Sequence, residues 1–217
     1  QPDALTVCLG QEPNTLYPFG ELNASARSVL AAIYDGPFDT IGYEIQPVIL
    51  SQIPSLENKE AQIVKAEVQA GIQVVAADGS VATLAEGLRV RPSECRSDDC
   101  VVTYNGIGSI EMDQMVVTFR LQPDLIWSDG TPLTSDDSIY SFELAKDIQV
   151  KSDAYVVSRT QIYEAADEKT LQWWGVPGFI DPSYFTNFWM PAPRQAWSEF
   201  TADELQKVDV SSRSPLG

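Results

Sequence analysis

The spacing of apolar and polar positions changes along the chain, and the change divides it. Residues 5–9, LTVCL, form a short apolar run that predicts a strand, which Gly10 and Pro13 break into a polar loop. Ala26, Val29, Leu30, Ile33 and Tyr34 then recur at i, i+3, i+4, i+7 and i+8, the stripe of an amphipathic helix. Asn23 or Ser25 is available as its N-cap, and Gly36-Pro37 stops it. The start of the chain therefore reads as strand, loop and helix.

From Pro47 onward short alternating runs replace that pattern. Asp78-Gly79 lies between IQVVAA and SVATL, and Asn105-Gly106 between CVVTY and IGSI, each a favoured two-residue hairpin turn. Met115, Val117, Phe119 and Leu121 alternate with Val116, Thr118 and Arg120, which predicts a strand covering a core with one face. A further hairpin is expected near Asp167 and Glu168. Two helices close the pattern, one entered by Asp181-Pro182 and one by Thr201 and Glu204 in a capping box; SSRSPLG has neither a helix stop nor a strand partner. The fold class is mixed α/β, with a β-rich middle.

The stretch WSDGTPLTSDDSIYSFE, residues 127–143, gathers three aspartates beside a tryptophan. They can be a catalytic acid cluster, a metal loop or a rigid joint. Catalysis needs two carboxylates held apart across a cleft in unlike environments, and the pattern supplies no such pair. A calcium loop needs alternating oxygen ligands ending in a bidentate glutamate, an order that DGTPLTSDD lacks. A joint explains every residue. Pro123 ends the strand, Ser128, Asp129 and Gly130 make a tight turn, and Thr134 caps a helix whose third position, Asp137, reaches back to the cap amide. Asp136 and Asp137 each complement the positive end of the helix by about 0.3–1 kcal/mol. Ile139, Phe142 and Lys146, with Tyr140 and Leu144 beside them, are expected to form its buried face, and Trp127 to pack under the turn.

Composition narrows the chemistry. The chain of 217 residues is 44% hydrophobic, enough for a packed core in one large domain or two small ones. Fourteen basic against 31 acidic residues give a net charge of -17, which repels phosphate backbones and anionic lipid, so nucleic-acid partners are not expected. The absence of histidine excludes Ser-His-Asp and Cys-His catalysis and most zinc sites, and no cofactor is expected. Cys95 and Cys100 flank the polar loop RSDD. A disulfide there suits an oxidising compartment and stabilises by roughly 2 kcal/mol; the alternative is two free thiols in a cytosolic loop. Cys8, inside the predicted first strand, reads as a small buried hydrophobe.

The segment VVTFRLQPDLIWSDGTPLTSDDSIYSFELAKD resembles the signature of the family 5 extracellular solute-binding proteins, the peptide, oligopeptide and nickel receptors of ABC importers. Thr118, Phe119, Leu121, Pro123, Trp127, Ser128, Asp129, Gly130, Leu133, Thr134, Asp136 and Asp137 match that pattern in order and spacing. LTVCLGQEPNTLYPF is similar to the family's opening strand and ligand-side loop, and AAIYDGPFDTIGYEIQPVIL to the helix and run that follow, with Asp35 where the family has glutamate. MPAPRQAW is similar to the family's Ile-Pro-Lys-His segment without its histidine, and Pro215, Leu216 and Gly217 to the start of a Pro-x-Gly-x-Gly-Pro-Tyr motif, which implies an N-terminal part of a longer receptor.

The resemblance implies a partial periplasmic-binding-protein-like lobe with a β-rich accessory subdomain. Residues 1–47 would open ligand-binding lobe I, residues 48–205 would form the accessory subdomain, and residues 206–217 would return to lobe I. It implies a binding protein, not an enzyme, that closes two lobes on a peptide or other small solute and presents the closed form to a membrane permease. The expected protein is a monomer, extracellular or periplasmic. A lipid anchor is left open, since Cys8 has no apolar leader before it. Glu12, Pro13, Asn14, Thr15 and Leu16 are the ligand-side candidates, because a loop leaving a strand end is where open α/β lobes bind. Glu12 can meet a peptide amino terminus, and the backbone of residues 14–16 can pair with an extended ligand; ordinary turn chemistry is the alternative. Trp127, Asp129, Gly130, Thr134 and Asp137 are structural. Trp173, Trp174, Phe185, Phe188 and Trp189 fit core packing better than ligand stacking. The competing function is a secreted carbohydrate-active enzyme or carbohydrate-binding β-rich module, sharing acidity, tryptophans and export. With lobe II absent, the chain by itself is expected to bind weakly or not at all.

Overall fold

The computed structural model describes residues 6–146 and 154–207. Its frame is one antiparallel sheet of four strands: β3 (Ala61–Gln69), β8 (Ser109–Arg120), β9 (Thr160–Asp167) and β10 (Thr170–Gly175), in the order β3-β8-β10-β9. Smaller hairpins surround it: β1 (Phe38–Ile41) with β2 (Glu44–Pro47), β4 (Gln73–Val75) with β5 (Val81–Thr83), and β6 (Arg89–Val90) with β7 (Val102–Thr103). The helices are α1 (Ala24–Ile33), α2 (Ser135–Ala145) and three single turns, α3 (Ala154–Val157), α4 (Arg194–Trp197) and α5 (Ala202–Leu205). The fold is mixed α/β, as the pattern predicts.

Register explains the core. Val117 lies opposite Ala61 on one side and Trp173 on the other, and Trp173 in turn faces Tyr163, so these side chains share one face of the sheet. Met115, Val117, Phe119 and Leu121 are all buried there, as the alternation predicts. Trp127, Leu133, Phe142, Phe188 and Trp189 close the cluster from the other side. Each such apolar side chain contributes roughly 1.5–3 kcal/mol on burial. Met112 belongs instead to a second cluster, with Val68, Val74, Leu84, Val90 and Tyr104, under the small hairpins. Trp173, Phe188 and Trp189 are core residues, while Trp174 and Phe185 are half-buried.

Helix α1 takes Asn23 as its cap, the Asn23 Oδ1 accepting from the Ala26 amide at 2.8 Å. The hairpin near Asp167 forms as expected, with Thr170 opposite Asp167. At Asp78-Gly79 the hairpin also forms, but Ala76 and Ser80 bond to each other, so the loop has three residues, with Gly79 at φ +85°. Cys95 and Cys100 are joined in a disulfide with Cα atoms 5.6 Å apart.

Several expectations are corrected. Among residues 5–9 the described ones, 6–9, are coil and exposed, because an apolar run forms a strand only where a neighbouring strand accepts its ladder, and none of the described strands does. Cys8 is accordingly a free, exposed thiol and not a buried hydrophobe. Asn105-Gly106 turns the chain but makes no hairpin: β7 pairs with β6, whereas β8 pairs with β3 and β10, so the turn passes the chain between sheets. The buried face of α2 is Ser135, Asp137, Ser138, Ser141, Phe142 and Ala145, with Lys146 exposed. Serine is small enough to let the helix approach the sheet, and its hydroxyl finds partners there: Ser138 Oγ bonds the Tyr163 hydroxyl at 2.7 Å and the Trp189 carbonyl. The helix expected after Asp181-Pro182 is one 3-10 turn, Tyr184–Thr186, and Pro191 and Pro193 would bar a helix from running on past them. The Thr201–Glu204 capping box forms but opens only the single turn α5. SSRSPLG lies outside the described residues.

Candidate ligand-binding loop and its buttress

The polar loop 12–16 is laid over the start of α1. Glu12 is exposed, and its carbonyl accepts from Asn23 Nδ2 at 2.9 Å. Asn14 is exposed and holds the loop in two directions, Oδ1 accepting from the Asn23 amide at 3.0 Å and Nδ2 donating to the Glu21 carbonyl. Thr15 is buried, its hydroxyl accepting from the Tyr17 amide at 3.0 Å. Pro13 and Leu16 are half-buried. One asparagine thus serves both the helix cap and the loop, so helix and loop form together.

The loop leads into Tyr17, which is fully buried and packs edge-on against Phe19 at 5.5 Å and Trp197 at 5.8 Å between ring centroids. Ala192, Trp197 and Leu205 complete this third cluster. The segment that carries Trp197 is pinned in turn to the aspartate corner. Asp137 accepts from Trp127 Nε1 at 3.2 Å, from the Thr134 amide at 2.9 Å and from the Arg194 amide at 3.4 Å, while its carbonyl accepts from the Ala192 amide at 3.2 Å. Burial pushes the Asp137 carboxyl up and the charge of Asp136 adds to that; these donors act the other way without overcoming it. Asp129 is exposed; it accepts from the Thr131 amide at 2.8 Å and from Gln195 Nε2 at 3.4 Å, and these bonds hold its carboxyl below the ordinary range. Gly130 supplies the turn at φ +86°. Lys169 Nζ donates to the Leu133 carbonyl at 2.7 Å, tying the corner to the β9–β10 hairpin.

The corner therefore touches the loop only through intermediaries: Asp137 to residues 192–194, then Trp197, then Tyr17. Asp129 and Asp136 face solvent and Asp137 is occupied by donors. Among the described residues no group of three or more His, Cys, Asp or Glu is placed to hold a metal ion, and no helix is long and apolar enough to cross a membrane. Pattern reading misses the Trp197–Tyr17 contact, because the two residues are far apart in the chain and neither stands in a periodic run. It misses the Asn14–Asn23 pair for a smaller reason: two asparagines flanking a loop are a visible signal, but which one caps the helix is settled only by geometry.

Comparison with known proteins defines the class. Residues 84–190 match the family of bacterial extracellular solute-binding proteins, family 5, in its middle region. That segment, just under half of the chain, is similar to the middle region of family 5 extracellular solute-binding proteins. The probable peptide-binding protein YejA of Agrobacterium fabrum is 43% identical over 54 residues, which are 25% of this chain and 9% of that protein. The oligopeptide binding protein of Thermus thermophilus, solved with a pentapeptide, superposes with a TM-score of 0.55 at 16% identity, over 94% of this chain and 27% of that one. That likeness establishes the fold. The chain spans about a quarter of the Thermus protein's length.

Proposed function

We propose that the chain belongs to the substrate-binding component of an ABC importer, which captures peptides outside the membrane and delivers them to a permease. The match of residues 84–190 to the family 5 solute-binding proteins carries this reading, and the names of the Agrobacterium and Thermus relatives favour peptide among the solutes. The role is capture without turnover: the one aspartate buried in the corner spends its acceptors on the fold. Residues 12–16 are the ligand-side loop of the first lobe, residues 1–47 opening that lobe and residues 206–217 returning to it. Residues 48–205 are the accessory subdomain that buttresses it. Glu12, exposed beside the helix cap, is the group that meets a peptide's amino terminus. The working form is a monomer outside the cytoplasm, a location that the Cys95–Cys100 disulfide also suits.

Calorimetry on the full-length protein against a panel of peptides and oligosaccharides tests this. Saturable binding of peptides, weakened about tenfold or more by Glu12→Gln, is the expected result. Binding confined to oligosaccharides would replace the peptide assignment, and hydrolysis of any panel member would end the capture reading.

A further inference from the structure

The loop that joins β6 to β7, residues 91–101, is closed on itself by the Cys95–Cys100 disulfide and is bonded to the first half of β8. Its anchor there is Asp113, which is 6% exposed. The Asp113 carboxylate accepts from the Ser93 hydroxyl at 2.6 Å and from the Glu94 amide at 3.1 Å, and it pairs with the Arg96 guanidinium at 2.5 Å. A second arginine gathers the far side of the loop: Arg91 donates to the Ser97 carbonyl at 2.6 Å and pairs with Asp98 at 2.6 Å. The disulfide ties the two sides together. Glu94, next to Cys95, sits at φ +67°, a left-handed conformation that strains a residue with a Cβ. The Asp113 bond to its amide and the ring that begins at Cys95 hold it there; its pair with Lys65, at 3.2 Å and more than half exposed on both sides, contributes little.

The two cysteines of this ring are not equivalent. Cys95 is 6% exposed, whereas Cys100 is exposed. Arg96 follows Cys95 and favours a thiolate there, although it shares its charge with Asp113; Asp98 and Asp99 precede Cys100 and disfavour one. Thiol–disulfide exchange is fastest at the sulfur that a thiolate can reach and whose partner leaves more readily. Access and charge both pick out Cys100 as the sulfur attacked and Cys95 as the one released.

We propose that the Cys95–Cys100 disulfide is a site of reversible thiol–disulfide exchange, opened by a small thiol or dithiol reductant at Cys100 Sγ, and that opening it loosens the loop from Asp113. The reductant's thiolate bonds to Cys100 Sγ as the Sγ–Sγ bond breaks; the electron pair leaves on Cys95 Sγ, which takes a proton from solvent. A second thiolate, from the same dithiol or another molecule, attacks the reductant's own sulfur and frees Cys100 as a thiol. The protein disulfide thus gains two electrons and two protons, and the reductant becomes a disulfide. With the ring open, the Arg96 side of the loop is no longer tied to the Arg91 side, and Glu94 is free to leave its strained conformation. Val90 and Tyr104, just outside the two ends of this connection, belong to the second cluster, so the loop acts as a redox-sensitive strap on that core.

The test uses the full-length protein in its folded state and has two readouts. In the first, 2-mercaptoethanol is the attacking thiol, freed thiols are alkylated with iodoacetamide, and peptides are read by mass spectrometry. Expected is a mixed disulfide on Cys100 with the alkyl group on Cys95. No adduct under folding conditions, or an adduct mainly on Cys95, overturns the exchange site. In the second, hydrogen exchange is compared between the native protein and the protein reduced in place with dithiothreitol. Expected is exchange about tenfold or more faster over residues 92–101, with β10 and the Trp127 corner unchanged, and recovery when the reductant is removed in air. A rise shared equally by β3, β10 and the corner would mark the disulfide as a staple of the whole fold and overturn the strap, as would no rise over residues 92–101. Serine at both positions should reproduce the reduced pattern; if that variant fails to fold, the native protein reduced in place still decides.

Discussion

Two apolar runs of similar composition meet opposite fates in this molecule. MVVTFRL forms the C-terminal half of β8 and the residue after it, paired with β3 as far as Val117 and with β10 from Val116 to Arg120, with Val117 and Phe119 fully buried. LTVCL stays coil over its described residues, with Val7 66% exposed. The difference lies in neighbours, not in propensity: a strand is stable where a ladder and a facing layer receive it. The same contrast separates the aspartate corner from the first hairpin. Around the aspartate corner the Asp137 carboxylate, the Trp127 indole N–H, the Thr134 amide and the Lys169 ammonium are hydrogen-bonded, whereas the β1–β2 hairpin carries Ile41, Tyr43 and Ile45 out to solvent.

If the corner and the loop are coupled through Trp197, the largest effect should come from removing that link. Trp197→Ala should cost about 3–5 kcal/mol in denaturant unfolding, because Tyr17 and Leu205 lose the ring between them. A loss below about 1 kcal/mol would dissolve the coupling. Asp137→Ala should cost about 2–4 kcal/mol, since it strands the Trp127 indole N–H and the Thr134 and Arg194 amides, while Asp129→Asn and Asp136→Asn, at exposed positions, stay within about 1 kcal/mol. Reduction of Cys95–Cys100, or serine at both positions, should remove about 2 kcal/mol, read as a lower denaturation midpoint. At the small end, Tyr43→Ser should leave stability within about 0.5 kcal/mol.

Acid distinguishes two buried aspartates. Burial raises the Asp113 carboxyl, but the Ser93 hydroxyl, the Arg96 guanidinium and the Glu94 amide outweigh it and hold it below the ordinary range. Its contribution is therefore present above the unfolded value near pH 4 and lost as pH falls through the folded one. Asp137 runs the other way: its folded value is raised, so the stability linked to it is full below the unfolded value and lost as pH rises through the folded one. In pH-dependent unfolding, Asp113→Asn should flatten the acid limb and Asp137→Asn should not.

What the sequence makes legible follows from how local each feature is. Turns and caps are local: Asn23, Ser128 to Gly130, Thr134 with Asp137, and Thr201 with Glu204 all stand where short-range chemistry places them. Sheet partners are not local, which is why Asn105-Gly106 reads as a hairpin although its flanking strands pair elsewhere. The serine face of α2 is hidden for a related reason. Its hydroxyls are buried only because Tyr163 and the Trp189 carbonyl, from other parts of the chain, arrive to bond them. For the candidate site, the loop residues are readable as polar turn formers, but their attachment to α1 through Asn14 and Asn23, and to the corner through Trp197, exists only in three dimensions.

The most direct test of the corner as a joint is hydrogen exchange at the Tyr17 amide, which Thr15 Oγ1 accepts inside the loop, compared between the native chain and Asp137→Ala. Faster exchange at Tyr17 and Trp197 in the variant, beyond the rise at β8 amides, is the predicted result. Unchanged protection at Tyr17, with the corner itself opened, would contradict the account.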